Sequence, residues 1–441
     1  MLHYSPPVRA TSLRTNEQIL LWAFLALHFV LLLMHWGEIT GHDAREFLGT
    51  LHRMSALGSL PDFRTNLTDY HPPLSFLLAR ALSVFTGSPI TGAQLLSSLS
   101  FLGAFLLLRS SLKRIEILYT MPGIIFLYIS LSLPVFIYLA RAITYDSFQF
   151  LLITLTFYLS IRFFWQNPIG SQSRKTWLGR TFLLTAVLTA GLFTKYSCLL
   201  NFFIPFFVLL IRLRAAPFKT GFMSCCIACS LALLAAIPFY YVRYYQTEGS
   251  WMPVGMEWKR PEALAQTRSF RDEQRFPFLL HILRVPSMLF GREAPVQDSL
   301  WHHLWFDTWK GDPLWGPQTN ASEFLSTFYA TTALPLFFLG IAFFLWKKSR
   351  TNTAFSDLGW LLLLQSILSC AALLSFAFQY PLFDWGIFKT EYVPVVPLFI
   401  TYCIAVAVHI ATQRLSKRTY SAVMLATLLA FMSLNHLLPV Y

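Results

Sequence analysis

Charge is what this sequence has least of. Only 12% of its 441 residues are charged, about half the share in soluble domains. Acids are the scarcer sign, 21 against 34 basic residues. No internal repeat stands out, and no low-complexity linker sets off a soluble domain. Cysteines number six, and all lie in apolar runs. Cys225, Cys226 and Cys229 sit inside SCCIACSLALLAAI without histidine or acidic neighbours, so they read as small packing residues rather than zinc ligands. The first apolar run is long and lacks a small-residue cleavage site, so it reads as a span and not as a removable leader. What is plentiful is apolar surface: 55% of residues are hydrophobic and 17% aromatic. A soluble protein of this size cannot bury that much. The composition predicts an all-α polytopic membrane protein, with all 441 residues in one transmembrane domain.

A spanning helix needs about 20 mostly apolar residues. Candidate runs are 19–37, 91–109, 118–139, 147–165, 181–194, 198–211, 220–241, 324–346, 358–379, 393–411 and 420–439, which predicts eleven spans. The apolar stretch Pro73–Thr86 is ambiguous, being short with Arg80 in its middle. The cytoplasmic preference of Lys and Arg decides the matter. If Pro73–Thr86 does not cross, six segments fall inside, holding 18 basic residues and three acids, Glu17, Glu116 and Asp357. The inside then carries +15 and the outside −2, which accounts for the net +13. Pro73–Thr86 therefore reads as an amphipathic helix at the outer surface, with the N-terminus cytoplasmic. The +13 is a threading signal and does not call for a nucleic acid partner.

Two outer segments are long, 37–90 and 241–323, and the second holds Trp251, Trp258, Trp301, Trp305, Trp309 and Trp315. Short juxtamembrane helices anchored by interfacial tryptophans are expected in them.

The chemistry-bearing residues gather on this outer side. Asp43, in GHDARE just past the first span, lies where partial desolvation suits a carboxylate to act as a general base; a plain helix N-cap is the competing reading. In DYHPPL, two prolines pin His71 at the start of the surface helix, and Asp69 with His71 can coordinate a divalent cation or grip a phosphate. Asp146 in ARAITYD opens a span, where a carboxylate must be paired or functional, and Arg141 is its obvious partner. Lys195 in GLFTKY sits in a tight outer reversal and needs an anion, either a carboxylate or a phosphate. Late in the chain Lys389 and Tyr392 precede VPVVP as a further polar contact, or as a snorkelling lysine beside an interfacial tyrosine.

In this order the motifs resemble the GT-C superfamily of membrane glycosyltransferases, in the branch that includes the protein mannosyltransferases and the lipid A aminoarabinose transferase. The resemblance covers most of residues 15–411. It is carried by GHDAREFLGTLHRMSALG, YHPPLSFLLARALSVFTG, ARAITYD, GLFTKYS, IPFYYVRYYQTEGSW and KTEYVPVVP. Two positions depart from the family pattern: Ala44 stands where a second acid often follows Asp43, and Glu391 precedes the late tyrosine where Arg is usual.

The resemblance implies a sugar donor on a polyprenyl phosphate, attacked at the outer membrane face by a lipid, glycan or protein acceptor, with inversion at the anomeric carbon. On that basis Asp43 is the expected base and Asp146 orients the acceptor or holds Arg141. Lys195, His71, Arg141, Lys389 and Tyr392 form the phosphate or donor site, and Asp69 with His71 is a candidate divalent-metal site. A transporter or flippase of lipid-linked saccharides is the alternative, expected to place ionisable groups near the bilayer midplane. A non-catalytic assembly partner that uses 241–323 as a platform is a third reading. The sequons Asn66-Leu67-Thr68 and Asn320-Ala321-Ser322 do not establish a secretory compartment. A bacterial cytoplasmic membrane is favoured over an endoplasmic reticulum membrane.

Overall fold

The computed structural model describes residues 8–41, 43–65, 69–165, 174–212, 218–251, 301, 304–305, 308–309, 320–346, 353–379, 390–412 and 416–437. Among these there is no β-strand. The helices are α1 (Val8–Met34), α2 (Ala44–Leu57), α3 (Leu74–Thr86), α4 (Pro89–Arg114), α5 (Met121–Leu131), α6 (Pro134–Arg141) and α7 (Asp146–Ser160). They continue with α8 (Arg174–Leu192), α9 (Phe203–Ile211), α10 (Phe218–Tyr240), α11 (Asn320–Trp346), α12 (Thr353–Gln379), α13 (Val395–Ala411) and α14 (Lys417–Leu437).

The protein is an all-α polytopic membrane protein. Seven helical segments are long and apolar enough to cross a bilayer: Ser12–Met34, Pro89–Arg114, Asp146–Trp165, Lys219–Glu248, Thr327–Trp346, Ala354–Phe376 and Thr419–Leu437. The pair α5 and α6 makes an eighth if taken as one span, bent by 52° where Pro134 removes a backbone donor. The other three expected runs, 181–194, 198–211 and 393–411, fall on α8, on Tyr196–Ile211 and on α13. The first seven residues of α8 include Arg174, Lys175 and Arg180. The other two are short apolar helices. Among the described residues, length and apolarity alone thus support seven crossings, or eight with the bent pair, where eleven were expected. The 13 residues of α3 extend about 20 Å, short of the ~30 Å hydrocarbon core.

The core is built around α4, α5, α7 and α13. Helix α4 packs along both α3 and α7, α13 lies between α5, α11 and α12, and α1 runs beside α14. Close approach is sequence-encoded at Gly340, where a Cβ would overlap the Cys403 carbonyl and force α11 off α13. Glu17 on α1 is fully buried, gripped by Arg109 of α4 through Nε at 2.6 Å and a terminal nitrogen at 2.8 Å, and it accepts from the Tyr128 hydroxyl at 3.1 Å.

Most of 241–323 lies outside the described residues, so the expected juxtamembrane helices, Trp258 and Trp315 are not described. Helix α10 runs on through a π turn at Tyr241–Tyr245. There Arg243 donates to the Pro61 carbonyl at 2.9 Å and the Asp69 carbonyl at 3.0 Å, fastening the first outer segment to the end of α10. Trp305 and Trp309 pack beside α11, where the Trp305 indole donates to the Ala330 carbonyl at 3.1 Å.

Candidate active site

The geometry starts where α1 ends. The side chain of Gln94 closes that end: its amide donates to the His35 and Glu38 carbonyls at 2.8 and 2.7 Å, and its oxygen accepts from the Gly37 N–H at 2.8 Å. Three residues on, Thr40 accepts the Ile143 N–H on its carbonyl at 2.8 Å and donates its hydroxyl to the Arg141 carbonyl at 3.1 Å. Gly41 follows with φ +119°, and a Cβ there would stand 3.3 Å from Ala142. Only glycine lets the chain turn this close to 141–143. The turn delivers Asp43 beside Tyr145.

Asp43 occupies the N-cap position of α2, but its side chain makes no capping bond. It accepts instead from the Tyr145 hydroxyl at 3.3 Å. The carboxylate is thus aimed at the 141–146 turn, and Asp43 is half-buried.

Asp146 is the first residue of α7 and is buried. Its backbone N–H donates to the Thr144 hydroxyl at 3.1 Å, and that hydroxyl donates to one carboxylate oxygen at 2.8 Å. The other oxygen accepts from Lys195. The pairing expected between Asp146 and Arg141 is therefore replaced by one with Lys195. The reason is directional: Arg141 ends α6 and donates to His35 Nε2 at 3.1 Å, while the reversal after α8 carries Lys195 onto the start of α7.

That reversal is tight, with the Thr194 and Lys195 N–H groups both donating to the Gly191 carbonyl, at 2.9 and 3.0 Å. The Lys195 ammonium sits over two rings, Tyr145 at 4.7 Å and Tyr392 at 4.1 Å from their centroids. Tyr392 thus joins the centre from the far end of the sequence, on a short turn held by the Thr390 hydroxyl donating to the Leu304 carbonyl at 2.8 Å. Lys389 lies outside the described residues.

His71 arrives from the first outer segment. Pro72 and Pro73 lead into α3, whose first N–H, on Leu74, donates to the Phe193 carbonyl at 2.8 Å. The His71 ring lies 4.1 Å from both the Tyr70 and the Tyr145 rings. Burial, with the Lys195 charge as a second cause, holds its pKa well below 6.5, so the imidazole is neutral at pH 7. It offers hydrogen bonds and no charge. Its Nδ1 is buried without a partner, as is Gln149 Oε1 one turn into α7.

The Asp69–His71 metal site does not form. Asp69 is buried, and its carboxylate is occupied by the Thr50 hydroxyl at 2.6 Å and by Arg53 at 2.8 and 3.1 Å. A guanidinium gripping the carboxylate opposes a cation there. Among the described residues no three His, Cys, Asp or Glu side chains form a group able to hold a metal. Asp69 is a brace between α2 and the approach to α3.

One residue at the centre escaped sequence reasoning. Tyr145 touches Asp43 through its hydroxyl, Lys195 through its ring face and His71 ring to ring at a 45° tilt. Burial, followed by the Asp43 and Asp146 charges, pushes its pKa well above 10, so it remains a donor. The signal was present in ARAITYD: a tyrosine flanked by the two charges of a span boundary.

Together these observations define a polytopic α-helical membrane protein with an acid–lysine–tyrosine centre gathered at one end of its bundle. No family model matches the sequence, and no curated protein matches it. Among solved structures it is similar to the crystal structure of ArnT from Cupriavidus metallidurans in the apo state, at 11% identity over 89% of this chain and 76% of that one, with TM-score 0.42. The same protein bound to undecaprenyl phosphate is similar at 12% identity over 90% and 77% of the two chains, again with TM-score 0.42. A likeness of this degree assigns no residue its role.

Proposed function

We propose that the protein is a membrane glycosyltransferase that moves a sugar from a polyprenyl-phosphate carrier to a hydroxyl-bearing lipid, glycan or protein acceptor. The observation that carries this reading is the convergence of Asp43, Tyr145, Lys195, Asp146 and His71 from four separate segments onto one centre. Asp43 takes the acceptor hydroxyl proton as the new bond forms at the anomeric carbon. The bond from that carbon to the phosphate oxygen breaks on the opposite side, inverting the configuration, and its electron pair leaves with the phosphate.

The departing phosphate needs donors. Lys195 has three N–H groups, of which Asp146 takes one. Tyr145 and Tyr392 hold the ammonium between their faces. Neutral His71 adds a hydrogen bond, and Arg141 a second cation. Asp146 acts by fixing Lys195. Asp69, committed to Arg53, is given no part in the transfer.

The transporter reading gains nothing from the buried ionisable pair in α1 and α4, since Glu17 and Arg109 close on each other. The distribution of basic segments supports a cytoplasmic N-terminus and an extracytoplasmic site.

The test is transfer by the purified protein in nanodiscs, with undecaprenyl-phosphate sugars as donors and glycolipid extracts as acceptors. Asp43→Asn keeps the shape and removes the base, so transfer should fall by about 10²–10⁴-fold. A folded Asp43→Asn variant with undiminished transfer overturns the assignment.

A further inference from the structure

Helices α7 and α8 meet the Asp43–Lys195 centre at one end and a second polar cleft at the other. Helix α7 continues through a π turn, Ile161–Trp165, which carries Phe163 about 25 Å along the axis from Asp146. Helix α8 runs back toward the centre, and its Arg180 stands about 18 Å before Leu192. Between the π turn, α8 and α10 opens a cleft of about 260 Å³, its mouth included. Phe163 and Phe164 of the turn, Trp177 and Arg180 of α8 and Ser224 of α10 line it.

The Arg180 guanidinium lies over the Phe163 ring, 5.4 Å from its centroid. Its Nη1 is nevertheless buried without a hydrogen-bond partner, and so is Trp177 Nε1. Both atoms are donors only. Arg162 of the π turn brings a like charge to bear on Arg180. Among the described residues no ion pair involves either arginine, whereas Arg53 and Arg109 have theirs in Asp69 and Glu17. A buried donor left open is costly, and more so when charged. Two such donors beside two cations call for an acceptor that brings negative charge. The surroundings indicate where that acceptor comes from. The same two helices expose Leu178 and Phe182 on α8, and Phe222 and Met223 on α10. A free inorganic anion gains nothing from such a surface, while an amphiphile lays its acyl chains against it. Under the topology proposed above, Arg162 and Arg180 belong to a cytoplasmic basic segment, at the level of the lipid headgroups.

We propose that this cleft binds the phosphate of an anionic phospholipid. Arg180 is the principal cation, the Trp177 indole N–H is a neutral donor, and Arg162 adds charge at long range. The inference does not depend on sugar transfer, since cleft and centre lie at opposite ends of α7 and α8.

The experiment titrates full-length protein in detergent with dioleoylphosphatidylglycerol, read by native mass spectrometry, with thermal unfolding followed in parallel. Dioleoylphosphatidylcholine is the zwitterionic arm and inorganic phosphate the free-anion arm. The first phosphatidylglycerol should bind about tenfold more tightly than phosphatidylcholine and raise the unfolding temperature. Arg180→Gln should weaken it by about tenfold, as for one charge-assisted hydrogen bond, and abolish the rise. Trp177→Phe keeps an aromatic ring and removes the N–H, so it should cost about threefold. It decides the matter if Arg180→Gln fails to fold. Lys175→Gln makes the same change of charge on an exposed side chain of α8 and should stay within about twofold. Equal losses in Arg180→Gln and Lys175→Gln overturn the proposal, because surface charge alone then accounts for binding. Undiminished binding by folded Arg180→Gln or Trp177→Phe also overturns it, as does equal affinity for the two lipids. Displacement of the lipid by millimolar inorganic phosphate assigns the cleft to free anions and overturns the lipid reading.

Discussion

Toward one end of α4, Arg109 grips Glu17; about 18 Å back along the same helix, beside Ser97, the 144–146 turn presents Asp146 to Lys195. Both carboxylates are buried, yet the pairs are built differently. The first is a planar fork on both oxygens of a carboxylate, with the Tyr128 hydroxyl as a further donor. Its hydrogen-bonding capacity is spent inside the bundle. The second uses a point charge with two donors to spare, rests it on tyrosine faces, and stands near His71, whose Nδ1 has no partner. Burial alone therefore does not mark function in a membrane protein. An ion pair that is saturated fastens helices together, and one left unsaturated is ready to receive a ligand.

That contrast can be broken first at Lys195. Replacing it with Met keeps the stem and removes the charge; transfer should fall by about 10²–10³-fold, comparable to losing one preorganised donor to a developing anion. If transfer is unaffected in folded protein, the unsaturated pair is merely structural. Glu17→Gln is the mirror experiment. Breaking a closed buried pair should cost about 3–5 kcal/mol of stability, read by thermal or denaturant unfolding, while the turnover of the folded fraction stays unchanged. A Glu17→Gln protein that is stable but inactive would erase the distinction.

A finer probe is Tyr145→Phe, which removes one hydroxyl from Asp43 and leaves the ring under Lys195. The expected loss is about tenfold or less in transfer, concentrated in kcat, because a single neutral-to-charged hydrogen bond is removed. The smallest effect is a pH dependence. His71 binds its proton in the unfolded chain at about 6.5 and does so only at much lower pH when folded. The unfolded state then holds more protons below that value, so stability declines on acidification, by up to about 1.4 kcal/mol per pH unit. His71→Gln should lack this portion of the decline in unfolding measured between pH 7.5 and 5.5.

Much of this was legible in the chain itself. Apolar run lengths located the helices, and the motif order brought out Asp43, His71, Asp146, Lys195 and Tyr392, four of which meet around Tyr145. What sequence reading missed has physical causes. Arg141 was paired with Asp146 because they are near in sequence, but α6 ends with its guanidinium pointed toward α1, and the true partner comes from 49 residues downstream. Asp69 looked like a ligand because its carboxylate stands two residues from a histidine; Arg53, a full helix earlier, had already claimed it. Tyr145 was overlooked because an aromatic at a span boundary is ordinarily an interfacial anchor. Three of the eleven expected crossings rest on helices too short or too polar to count by length, since the runs were measured by apolarity without regard to where each helix begins.

Gln94 carries a mechanical consequence. One amide fixes three backbone groups of the α1 terminus, so the last turn of α1 and the first turns of α4 behave as a single lever. Thr40 extends that lever to the 141–143 turn. Asp43, at its tip, is thereby referenced to the helical frame. Under the function proposed above, a lipid entering the bundle must find its play elsewhere, in elements this clamp does not hold.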